Sequence, residues 1–266
     1  MEFTLLGTGA SDGWPNAWCG CASCADQRTR TPRTPTCAAV DGRLLLDAGP
    51  EMPRQALRAG LDLAAVEVVV ITHAHDDHCH PSFLMHRSWV TDRPLTVVGT
   101  APVIEACRPW LAPAQTVVDF VQVTAGDEVE VAGYRLKAIP ANHDAHGEAV
   151  LWVVTDGSAA LLYATDTGPW PTAARAALEG WRFDLVALEE TFGHTPRKVS
   201  QHHNLETFAA ALADLRTWGN TDERTRHIAI HLGHDNPPLP ELTAALAAIG
   251  AEVHDDLTTL TVTRNP

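Results

Sequence analysis

The feature that most restricts how this chain can fold is an apolar run, VEVVVIT (66–72), that passes directly into HAHDDH (73–78). A stretch so rich in β-branched side chains reads as a buried strand. Four ligand-type residues, His73, His75, Asp77 and His78, follow it within six positions. Such a strand must therefore open at its carboxyl end onto a polar site. His73 and His75 alternate at the period of an extended segment and face one side. Asp77 and His78 come after a turn and reach a second point nearby. Imidazoles mixed with a carboxylate suit borderline divalent ions such as zinc, manganese or iron. A solvated polar loop would account for one histidine, but not for four such residues at this place.

The rest of the chain supplies strands and helices for a layered fold. Strands are predicted over 3–7, 37–49 with a hairpin turn at Asp41–Gly42, 66–72, 95–99, 117–123, 128–141, 148–166 with a second Asp-Gly turn at Asp156–Gly157, 184–190, 227–233 and 252–262. Helices are predicted over 51–60, 81–90, 101–111, 171–180, 204–218 and 239–249, with Asn204 as an N-cap. The Pro/Thr/Arg-rich stretch 28–36 reads as an exposed loop. At 266 residues and 45% hydrophobic content, the chain can bury a sizeable core without disulfide staples. We expect a single domain over 1–266, two mixed sheets with helices outside: a four-layer α/β/β/α sandwich.

HxHxDH at 73–78 resembles the signature of the metallo-β-lactamase-fold hydrolases, αββα sandwiches that hold one or two metals at the sheet edge. The remaining ligands of that family can be followed residue by residue: His143 in IPANHDAHG, Asp166 in LLYATDTG and His231 in IAIHLGH. The resemblance implies that His73, His75 and His143 hold one metal, that Asp77, His78 and His231 hold a second, and that Asp166 bridges them. Two cations so close need a bridging anion, and a water shared between them loses a proton near neutral pH. Asp47, in LLLDAG, either orients one of these ligands or serves a turn.

Three crowded thiols, Cys19, Cys21 and Cys24 in WCGCASC, suit three corners of a structural zinc tetrahedron. His234, three residues after His231, is the expected fourth ligand, with Cys37 as the rival. This layout and the GTG at 7–9 resemble the phosphoribosyl cyclic phosphodiesterase branch of the superfamily. In that branch a histidine with a leucine three residues on precedes a helix; here His202 and Leu205 match. His202 is thus the candidate general acid and Asp77 its catalytic companion, with His203 the alternate acid. His194, Arg197 and Lys198 are candidate substrate contacts, or else solvated loop charges. His80 and Pro81 stand where many relatives have glycine.

These readings imply two divalent active-site metals (manganese or zinc, with iron also tolerated), one structural zinc, and a small phosphorylated substrate. No secretory or membrane-spanning segment is apparent, and crowded thiols are more often ligands than disulfides in the cytoplasm, the expected location. A formal net charge of −14 opposes nucleic acid as partner. The related phosphodiesterases suggest a homodimer. The same fold also admits a lactone or thioester hydrolase, and a non-catalytic binding protein like those of pyrroloquinoline-quinone biosynthesis.

Overall fold

The computed structural model describes residues 1–111, 117–143, 147–195 and 200–264. Two seven-stranded mixed sheets face each other. The first contains β1 (Glu2–Gly7), β2 (Cys37–Val40), β3 (Leu44–Leu46), β4 (Val68–Val70), β5 (Leu95–Gly99), β6 (Val118–Gln122) and β14 (Thr258–Thr261), in the order β14-β1-β2-β3-β4-β5-β6. The second contains β7 (Glu128–Val131), β8 (Tyr134–Pro140), β9 (Val150–Thr155), β10 (Ala160–Ala164), β11 (Leu185–Glu189), β12 (Arg226–Ile230) and β13 (Glu252–Val253), ordered from β13 back to β7. In each sheet hairpins give antiparallel pairs on one side and crossovers give parallel pairs on the other: β3 to β6, and β10 to β13.

The central strands of both sheets are covered on both faces and are apolar throughout, whereas β7 and β14 at the edges alternate exposed and more buried positions. Between them lies a core of Phe3, Leu46, Val70, Leu136, Trp152 and Tyr163, among others. Helices α2 (Met52–Arg58), α3 (Ser82–Ser88) and α4 (Ala101–Cys107) pack on the outer face of the first sheet through Met52, Leu84 and Ile104. Helices α1 (Ala22–Gln27), α5 (Thr172–Ala177), α6 (Leu205–Thr217) and α7 (Leu239–Ala248) cover the second through Cys24, Ala174, Phe208 and Leu242. This is the expected αββα sandwich. Asn204 caps α6 in a capping box with Thr207. Among the described residues no helix is long and apolar enough to cross a membrane.

Three elements differ from the sequence reading. The segment 128–141 is a hairpin, not one strand, because Ala132 and Gly133 take positive φ and turn the chain between β7 and β8. The segment 252–262 divides between the two sheets. It breaks where the Asp256 carboxylate accepts hydrogen bonds from Thr8, Thr34 and Gln55, pulling the backbone into a turn. The short helix α1 carries too little periodicity to be read from sequence.

Candidate metal centre

The polar residues gather at the carboxyl ends of β3, β4, β10, β11 and β12, where the parallel strands of both sheets open onto one cavity. Local strain marks the place. Asp47, Asp166 and His231 each leave their strand with positive φ, of 63°, 51° and 58°. A non-glycine residue in that region costs on the order of 1–3 kcal/mol, a cost that concentrates at functional sites. The chain after β4 doubles back through bonds from the His78 and Cys79 amides to the His75 carbonyl. It then lies against the loop after β3. A Cβ on Gly49 would stand 2.0 Å from the Asp77 carbonyl oxygen, so only glycine admits the approach.

Two donor groups share one carboxylate. His73 Nε2 and His143 Nε2 lie 2.8 and 3.1 Å from His75 Nδ1, and 3.4 and 3.6 Å from Asp166 Oδ2. On the other side of Asp166, Oδ1 lies 2.9 Å from His231 Nε2 and 3.3 Å from His78 Nε2, while Asp77 Oδ2 is 3.0 and 3.7 Å from His78 and His231. Donors about 2.1 Å from a common ion stand roughly 3–3.5 Å from one another, which is this spacing. His78 Nε2, His231 Nε2 and Asp77 Oδ2 are buried and make no hydrogen bond of acceptable geometry. Three orphaned polar atoms converging on one point fit a cation, since burying them unpaired is costly. All seven residues are thus brought together in two groups able to bind metal.

The surroundings aim these atoms. Asp47, fully buried, accepts from the Thr72 amide at 2.8 Å and from Tyr163 at 3.2 Å, and lies 2.8 Å from His78 Nδ1. That contact places the ring proton on Nδ1 and turns the Nε2 lone pair to the site. Asp47 therefore orients a ligand, the first of its two sequence readings. Thr72 and Thr191 hydroxyls make matching contacts, 3.0 Å each, to His73 Nδ1 and His231 Nδ1. Charge divides the rings. Burial pushes His75 and His143 down to about 4, leaving them neutral lone-pair donors. Burial also opposes charge on His231, but Asp166 and Asp77 hold it up at about 10. A cation there would displace that proton.

His202 lines the same cavity, of about 510 Å³, together with Phe192, Asp12 and His234. Its ring stacks on His231, 5.5 Å between centroids and 5° between planes. Its Nδ1 lies 3.0 Å from Glu189 Oε1, which also accepts from the Thr167 amide, while Thr191 donates to Oε2. Burial works against a charged His202, yet Glu189 outweighs it and holds the ring above its ordinary range. Glu189 forms a third acidic grouping with His202 and His231, but its oxygens are engaged by these donors. Sequence reading missed Glu189. The signal was available: two acids ending a buried run, DLVALEE, need a reason to be there. His203 is buried, bonds Thr207 Oγ1 at 3.1 Å beneath α6, does not line the cavity, and is pushed down to about 4 by burial. His194 is exposed and outside the cavity lining; Arg197 and Lys198 lie outside the described residues. His80, half-exposed, pairs with Asp76 at 2.7 Å.

Beside the cavity, Cys19, Cys21, Cys24 and His234 form a further group able to hold an ion. Cys21 caps α1, its Sγ accepting from the Cys24 amide at 3.4 Å. Cys37 sits in the core of the first sheet, away from this group. The GTG loop runs alongside: the Leu232 amide bonds the Thr8 carbonyl and the Ala10 amide bonds that of Leu232, so the chain start is stitched to the residue after His231.

Residues 42–232 match the family described as the β-lactamase superfamily domain. The chain belongs to this superfamily. The matched region contains every residue of the two Asp166-linked groups, whereas the cysteine cluster and His234 fall outside it. Solved structures agree in fold. Over 98% of its length this superfamily member resembles Zn²⁺-bound PqqB from Methylobacterium extorquens, with TM-score 0.78, 22% identity and all of that chain covered. It resembles a diphosphatase of the PhnP family over 98% of its own and 97% of that chain, with TM-score 0.75 and 24% identity. It is also 37% identical over 82 residues to an octanoyltransferase of Porphyromonas gingivalis, 29% of this chain; the match spans 16% of the length of that curated relative. Family and fold agree on a metallo-β-lactamase-type sandwich.

Proposed function

We propose that this chain is a metal-dependent phosphodiesterase acting on a small cyclic phosphate or a related small phosphodiester. The carrying observation is the Glu189–His202 pair set over the two groups that share Asp166. A thioester expels a thiolate that needs no acid, whereas an alkoxide leaving phosphorus must be protonated. His73, His75, His143 and Asp166 would hold one divalent cation, and Asp77, His78, His231 and Asp166 the other, with zinc or manganese suited to the set and iron tolerated. Such a pair would lower the pKa of a bound water and offset charge on the substrate oxygens.

The chain's own side chains do the rest. As a hydroxide, its proton already released to solvent, bonds phosphorus, the P–O bond to the alkoxide breaks. His202 gives its Nε2 proton to that oxygen, and Glu189 stabilises the ring's protonated form until then. Phe192, 5.5 Å from the His202 ring edge-on, limits where that ring can swing. His194, Arg197 and Lys198 are the groups proposed to meet the remainder of the substrate, on their sequence positions ahead of His202. The substrate is small, and the charge of −14 keeps nucleic acid away.

A panel tests the reading. Bis(p-nitrophenyl) phosphate and a ribose cyclic phosphate are expected to turn over, and a lactone and a thioester to remain near background. Preference for the lactone or thioester would replace the phosphodiesterase reading by the carbonyl one. No turnover of any of them would favour a binding protein, the alternative that likeness to PqqB brings.

We assign a structural zinc to Cys19, Cys21, Cys24 and His234. Cys21→Ser is expected to release one zinc per chain and lower the melting temperature, by about 2–4 °C for each kcal/mol lost. The active-site metals should stay. Unchanged zinc content on elemental analysis would remove the assignment.

A further inference from the structure

Thr191 stands between the two halves of the site. It follows the acids that end β11, is buried, and lines the cavity. Its amide donates to the His203 carbonyl at 3.1 Å, and a Cβ on Gly233 would lie 2.7 Å from its own carbonyl oxygen. The residue is thus clamped between the loop that carries His202 and the loop that carries His231. From there its hydroxyl meets both functional groups. Oγ1 donates to Glu189 Oε2, and lies 3.0 Å from His231 Nδ1 and 3.1 Å from the His231 carbonyl oxygen.

A hydroxyl has one proton to give. The Glu189 carboxylate and the His231 carbonyl compete for it. Glu189 also accepts from the Thr167 amide at 2.6 Å and from His202 Nδ1 at 3.0 Å, so both of its oxygens act as acceptors. A hydrogen bond to a charged oxygen is about twice as strong as one to a neutral carbonyl, and the proton goes to Glu189. Oγ1 then turns a lone pair to His231 Nδ1, and the ring carries its own proton on that nitrogen. The Nε2 lone pair is left for the place shared with Asp77 and Asp166. The first sheet has the same device. Thr72 Oγ1 donates to Asp47 Oδ1 at 3.0 Å and meets His73 Nδ1 at 3.0 Å, and Asp47 in turn orients His78. There one hydroxyl serves two ligand histidines; Thr191 serves a ligand histidine and the proton donor.

We propose that Thr191 is a positioning residue for both halves of the centre at once: its hydroxyl fixes the tautomer of His231 and holds Glu189 where it serves His202. The chain runs from His231 Nδ1–H to Thr191 Oγ1, from the Thr191 O–H to Glu189 Oε2, and from His202 Nδ1–H to Glu189 Oε1. The part that concerns His202 rests on the phosphodiesterase reading; the part that concerns His231 does not.

Two variants test it. Thr191→Val removes the hydroxyl and keeps the volume, whereas Thr191→Ser keeps the hydroxyl and loses a methyl group. Zinc-loaded protein is titrated with a chelator, and metal per chain is read by elemental analysis. The Val variant is expected to release active-site metal at about 10–100-fold lower chelator concentration than wild type, and the Ser variant to recover most of that difference. Zinc at the cysteine cluster is the internal control. With metal in excess, the Val variant should lose about 10–100-fold in kcat on an alkyl diester and only a few-fold on bis(p-nitrophenyl) phosphate, whose leaving group needs no proton; Ser should again recover most of the loss. A role in packing alone predicts the reverse order, because Val fills the space and Ser leaves a gap. A Ser variant as impaired as Val, a Val variant with the chelator dependence of wild type, or equal losses on the two diesters would each overturn the proposal. If wild type turns over neither diester, the phosphodiesterase reading fails, and the chelator titration still decides whether Thr191 holds His231.

Discussion

Replacing His202 by Ala is expected to lower phosphodiester turnover by about 10²–10⁴-fold, the usual worth of a positioned general acid, with metal content unchanged. The ring holds none of the atoms shared by the two Asp166-linked groups. It is tied instead to Glu189 and stacks on His231. Its removal deletes a proton donor and leaves the other seven side chains in place. The loss should shrink with a substrate whose leaving group is acidic, such as p-nitrophenolate, and be largest with an alkyl diester. That contrast separates a missing acid from a disturbed site, because a disturbed site slows both alike. Equal losses on the two substrates, or full activity, would show that the proton comes from elsewhere.

Asp166→Ala has the larger effect on composition. Asp166 Oδ1 faces His231 and His78, Oδ2 faces His73 and His143, and the carboxyl is buried among four imidazoles. Burial opposes its charge, yet His231 and His78 hold it ionised, well below the carboxylate range. Without it, cations at the two positions lose the anion between them and repel. The variant is expected to lose at least one active-site metal per chain and all measurable turnover, while zinc at the cysteine cluster stays. Retention of both metals on elemental analysis would contradict the bridging role.

Much of this was legible because each residue of the two groups stands at a strand end in a recognisable local pattern. HAHDDH follows VEVVVIT, Asp166 follows LLYAT and His231 follows IAI. A buried strand has few ways to end, so a polar residue there is informative. The role of Asp47 came out only in part, since LLLDAG fits a turn as well as a ligand-orienting carboxylate until Thr72, Tyr163 and His78 are seen around it. Glu189 and Glu190 could not be told apart in sequence. Adjacent residues on a strand point to opposite faces, and only the packing shows one meeting His202 and the other Asn236. The break at Asp256 depends on Thr8, Thr34 and Gln55, far away in sequence.

The account rests on a shared centre for His73, His75, Asp77, His78, His143, Asp166 and His231. Anomalous diffraction from crystals of the metal-loaded protein, collected at the absorption edge of the metal, tests it most directly. Two peaks on either side of the Asp166 carboxyl, and a zinc peak enclosed by Cys19, Cys21, Cys24 and His234, are the predicted result. A map with no peak at Asp166, or with metal only at the cysteine cluster, would contradict it.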